Sequence, residues 1–69
     1  MNKLKIIRKS LGVSQSALAE KMQCTSGTIS HYETERRIPD VAVGRQLIAA
    51  LNKLGANCTF DDVFPPRPE

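Results

Sequence analysis

Apolar residues return at helical spacing along most of the chain, and polar residues that start or stop helices stand between the runs. Leu4, Ile7 and Leu11 share one stripe, which predicts a first helix from about Asn2 to Leu11 with Gly12 as its stop. At 100° per residue Arg8 lies only about 40° from Leu4, on the flank of that stripe, an odd place for a free charge. Ser14 is a good N-cap for a second helix through Gln15 to Met22, with Leu18, Ala19 and Met22 inward and Ala19 small enough for close approach. A short turn at Gln23 and Cys24 leads to Thr25, the N-cap of a third helix reaching about Thr34. Asp40 caps a longer fourth helix to about Leu54, its stripe made of Val43, Leu47, Ala50 and Leu54 and flanked by Leu51. Gly44 costs that helix about 1 kcal/mol relative to Ala, and Gly55 ends it. Thr59 opens a short fifth segment, Phe60 to Phe64, closed by prolines. The pattern predicts an all-α chain: a compact bundle of four to five short helices over residues 1–64, followed by a flexible proline-rich tail, 65–69.

The third helix has an unusual wheel. Thr28, Ile29, Tyr32 and Glu33 occupy one half, whereas Ser26, Gly27, Ser30, His31 and Thr34 occupy the other. A solvated face usually carries Lys and Glu; this one carries short polar side chains and asks for another explanation. Glu33, beside Ile29 on the inward half, is like Arg8 a charge that needs a partner.

Composition narrows the classes. Sixty-nine residues make one domain with a thin core, and 41% apolar residues with three aromatics leave that core to Leu, Ile, Val, Ala and Met. Ten Lys and Arg against seven Asp and Glu give +3, with a pI near 9.2, just above the threshold expected of a nucleic-acid binder. Neither a polybasic cluster nor a basic amphipathic helix points to a membrane surface, and no run approaches the ~20 apolar residues of a span. Met1 to Ser10 carries no signal-peptide core, so a soluble cytoplasmic protein is expected. Cys24 and Cys58 read as free thiols; with His31 they match no zinc spacing, so neither a metal nor another cofactor is expected. Five serines with one histidine and no nucleophile elbow argue against an enzyme.

Two short helices joined by a three- to four-residue turn make the helix-turn-helix unit. The run Ser14-Gln15-Ser16-Ala17-Leu18-Ala19-Glu20-Lys21-Met22, then Thr25, then Ile29-Ser30-His31-Tyr32-Glu33 and Arg37-Ile38-Pro39, resembles the lambda-repressor and Cro-like (XRE-like) family over roughly residues 3–54. The resemblance implies that the third helix enters the major groove of a double-stranded DNA operator, with Ser26, Gly27, Ser30 and His31 against base edges. It also implies phosphate contacts from Gln15, Thr25, Arg36 and Arg37, with Gln15 bracing the reading helix. At Arg8 and Glu33 it places an ion pair joining the first helix to the third. Two departures stand out. Glu35 occupies the position usually held by Gly, so the loop runs differently or the helix extends, and the fourth helix begins about two residues further from Pro39.

The function implied is that of a sequence-specific transcriptional regulator, a small Cro-like repressor of phage or prophage type. It would act without a small-molecule ligand, as a homodimer on DNA joined through the apolar side of Phe60, Val63 and Phe64. The alternative is a helix-turn-helix protein-interaction module such as an antirepressor or antitoxin, which an acidic or strongly apolar third helix would favour.

Overall fold

A computed structural model describes residues 2–66, which form five helices: α1 Leu4–Ser10, α2 Gln15–Met22, α3 Ser26–Glu33, α4 Val41–Lys53 and α5 Phe60–Val63. Each begins where a side chain satisfies a backbone N–H that the helix itself leaves unpaired. Ser14 Oγ accepts from the Ala17 N–H at 3.0 Å, Thr25 Oγ1 from Thr28 at 3.2 Å and Asp40 Oδ1 from Val43 at 2.8 Å. Thr59 and Asp62 exchange bonds in a capping box, which holds the single turn of α5. α1 starts at Leu4 rather than at Asn2, because the Asn2 carboxamide lies ahead of the helix and accepts from the Leu4 N–H at 3.1 Å. Gly12 and Gly55 end α1 and α4 with φ of +69° and +115°.

The buried core draws on every helix: Leu4, Leu18, Ala19, Ile29, Leu47, Ala50, Leu51 and Val63. With so few large side chains, truncating one of them to Ala costs about 2–5 kcal/mol, a large share of the ~5–15 kcal/mol that holds a typical domain folded. Val63, expected on a dimer surface, is instead 0% exposed. It closes the end of the core next to α1, and its carbonyl accepts the Lys3 N–H at 2.8 Å. Phe60 and Phe64 remain half-buried with ring centroids 5.3 Å apart. Phe60 also explains Gly44, where an added Cβ would come within 2.6 Å of the Phe60 ring.

Three large apolar side chains stand exposed among the described residues, Ile6 on α1, Ile38 before α4 and Val41 at its start. Cys24 and Cys58 are free and half-buried, and burial raises both thiols above their ordinary pKa, with the Asp62 charge adding to the rise at Cys58. No helix among the described residues is long and apolar enough to cross a membrane. Of the expected tail, Pro65 and Pro66 are exposed, and residues 67–69 lie outside the described part.

Candidate nucleic-acid interface

α2 and α3 pack against each other with a tight turn between them, in which Gln23 takes a left-handed φ of +56°. The turn is closed by the Cys24 N–H, which donates to the Ala19 carbonyl at 2.9 Å. Ala19 is 2% exposed, so the small side chain expected to permit close approach is enclosed. Thr25 then launches α3, and its hydroxyl lies 3.0 Å from that of Thr28 as well as capping the helix.

The inward side of α3 is anchored by Ile29, 0% exposed, and by Glu33, 7% exposed. Glu33 meets three donors. Arg8 Nε donates to Oε2 at 2.5 Å, Arg8 Nη2 to Oε1 at 3.3 Å and Gln15 Nε2 to Oε1 at 3.0 Å. Arg8 is itself buried at 7%, and its Nη1 donates to the Val13 carbonyl at 2.7 Å. Helices α1, α2 and α3 thus converge on one carboxylate. Burial pushes the Glu33 pKa up, but the hydrogen bonds from Arg8 and Gln15, with the charges of Arg8 and Lys5, outweigh it and hold the carboxyl below its ordinary value. No buried side-chain nitrogen or oxygen among the described residues lacks a hydrogen-bond partner.

The outward side of α3 is left to solvent. Ser26, Gly27, His31 and Thr34 are exposed, while Ser30 is half-buried on the edge of the face. Gly27 has no packing reason within the chain, since an added Cβ would meet only Thr25 Oγ1 at 3.8 Å. Thr25 is exposed at the entrance of α3, and Arg36 and Arg37 are exposed beyond its exit. Gln15 is half-buried and has one amide hydrogen committed to Glu33. All of these but Gln15, the first residue of α2, belong to α3 or the segments at its two ends; Phe60 and Val63 belong to α5 and Phe64 is its C-cap.

The exit of α3 shows what replaces the glycine. The helix does not extend: Glu35 itself takes the left-handed conformation, φ +62°, after Thr34. Its N–H donates to the Tyr32 carbonyl at 3.3 Å, and the Arg37 N–H returns to the His31 carbonyl at 3.2 Å. Sequence reasoning missed a third partner of this corner, Asn2, whose Nδ2 donates to the same Tyr32 carbonyl at 2.8 Å. Nothing in the neighbourhood of Asn2 announces that contact, which spans thirty residues.

The helix-turn-helix family model matches residues 4–54, which runs from the start of α1 to the C-cap of α4. Comparison with curated proteins finds no match.

Proposed function

The chain belongs to the XRE or lambda-repressor type of helix-turn-helix family, whose members are DNA-binding regulators, and from that premise we propose that it is a sequence-specific transcriptional repressor of Cro-like type. It reads the major groove of a double-stranded operator with α3. Ser26, Ser30 and His31 offer hydrogen bonds to base edges, and Gly27 lets the helix approach closely. Thr25, Gln15, Arg36 and Arg37 hold the phosphates on either side. It works in the cytoplasm as a homodimer on a two-fold site, because one α3 spans only a few base pairs and two of them a helical turn apart double the information.

The observation that carries the reading is the outward face of α3. Its side chains are polar with no long charged one among them, an added Cβ at Gly27 would meet only Thr25 Oγ1 at 3.8 Å, and the opposite face is locked to α1 and α2 through Glu33. A rigid helix with a low, polar outer surface suits a groove better than it suits an apolar protein partner.

The experiment is selection of binding sites from random duplexes, followed by sedimentation on the winning duplex. A two-fold symmetric consensus carrying two protomers is the expected result. Recovery of no consensus, with no retention on duplex DNA at low salt, refutes the proposal and leaves the protein-interaction reading.

A further inference from the structure

Asn2 lies ahead of α1, yet its hydrogen bonds reach the far end of α3. Its Nδ2 donates to the Tyr32 carbonyl at 2.8 Å, its backbone N–H donates to Glu35 Oε1 at 2.8 Å, and its Oδ1 accepts from the Leu4 N–H at 3.1 Å. One residue therefore holds the first N–H of α1 and grips the exit of α3.

Glu35 is the other half of this junction. A left-handed φ of +62° costs a side chain of this kind about 1 kcal/mol, and such a conformation persists only where the surroundings over-determine it. Here its N–H goes to the Tyr32 carbonyl and its carboxylate receives the Asn2 N–H. Glycine at this position would make the turn without strain but would have no carboxylate to offer. The chain beyond the junction is Arg36 and Arg37, both exposed, and the Arg37 N–H is tied back to His31. The residue that leads into the basic loop is thus held by Asn2, and Arg37 is held by α3.

We infer that Asn2 and Glu35 are positioning residues for nucleic-acid binding: they strap the N-terminal segment to the exit of α3 and so fix the Arg36–Arg37 loop where its guanidinium groups meet phosphates. The inference rests on the DNA-binding reading above. Neither residue touches DNA in this role. A preset loop spares the ordering that a free one would undergo on binding.

Three substitutions in the full chain test it. Asn2→Ser keeps an oxygen for the Leu4 N–H and removes the amide donor. Glu35→Gly keeps the turn and removes the carboxylate. Glu35→Gln keeps an acceptor oxygen and serves as the rescue. In the free protein, Asn2→Ser combined with Glu35→Gly is expected to speed amide exchange at Arg37 by about tenfold, while Ile29 and Leu47 keep their protection. On the selected operator duplex, the slope of log affinity against log salt is expected to fall by about 1–2, one for each arginine released. The selected bases stay the same, and Glu35→Gln stays close to the unsubstituted protein in both measurements. Unchanged exchange at Arg37 overturns the strap. Faster exchange with an unchanged salt slope overturns its role in binding. If the unsubstituted protein itself shows no salt-dependent affinity for duplex DNA, the DNA-binding reading fails first, and this role falls with it.

Discussion

Arg8 of α1 and Glu33 of α3 form a two-pronged ion pair, with Nε 2.5 Å from Oε2 and Nη2 3.3 Å from Oε1, and both residues are 7% exposed. Such geometry fixes orientation as well as distance. The net worth of the pair is modest, because desolvating two charges offsets much of their attraction. Removing one partner strands the other, at about 3–5 kcal/mol. We expect Arg8→Met and Glu33→Leu each to lower stability by that order in urea unfolding, and the double variant to recover much of the loss. Single losses that add in the double variant would show that the two side chains do not interact.

Glu33 also sets an acid limit. Its folded pKa is lower than its ordinary value of 4.5, so its contribution is complete above that pH and is lost as pH falls through the folded pKa. Asp62 is lowered too, by the Thr59 backbone N–H first and the Thr59 side chain second, and acts in the same direction. Glu33→Gln should therefore flatten the fall of stability as pH drops below 4.5, leaving the part due to Asp62. An acid limb of unchanged steepness would place the titration elsewhere.

Gly44 is held small by Phe60. Ala is the better helix former by about 1 kcal/mol, yet its Cβ would come within 2.6 Å of the Phe60 ring. Overpacking of this kind costs about 1–3 kcal/mol, so Gly44→Ala should destabilise the chain or leave it level. In a Phe60→Leu background the same change should stabilise it. Thermal unfolding of the four variants decides the matter, and a stabilising Gly44→Ala in the original background would show that the ring moves aside freely.

On the proposed DNA-binding reading, Arg37 bears on affinity and His31 on specificity. Arg37→Ala should weaken binding to all duplexes alike and reduce the salt slope by about 1. His31→Ala should relax preference at one or two operator positions, at about 1–3 kcal/mol. Titrations across a salt series and a repeated site selection check both. An unchanged consensus after His31→Ala would remove the imidazole from the reading face.

What could be read from the sequence is what is local or periodic. Ser14, Thr25, Asp40 and Thr59 act within three residues of themselves, so each cap was visible in its own segment. Arg8 and Glu33 stand out because each flanks apolar positions that must be buried. Other features depend on pairings between distant segments. Gly44 looks like a plain penalty until Phe60, sixteen residues on, is brought over it. Val63 belongs to a single turn, too short to have a period that tells its inward side from its outward one. Ser30 lies at the border of the two faces of α3, where a wheel alone does not separate half-buried from exposed. Position 35 visibly lacks glycine, whereas the Asn2 N–H that meets Glu35 in the left-handed conformation comes from 33 residues away.

The buried Val63 makes the fold wait for α5. The family match stops at residue 54, yet the core is not sealed, nor the Lys3 N–H paired, until Val63 arrives. On a translating ribosome, the segment from α1 to α4 emerges first and stays open along the side that Val63 covers. Domains of this size fold as units, so a nascent chain or a fragment cut short before α5 lacks the finished scaffold behind α3. A chain that stops before Val63 thus carries every residue of the family match without the side chain that completes the core behind it.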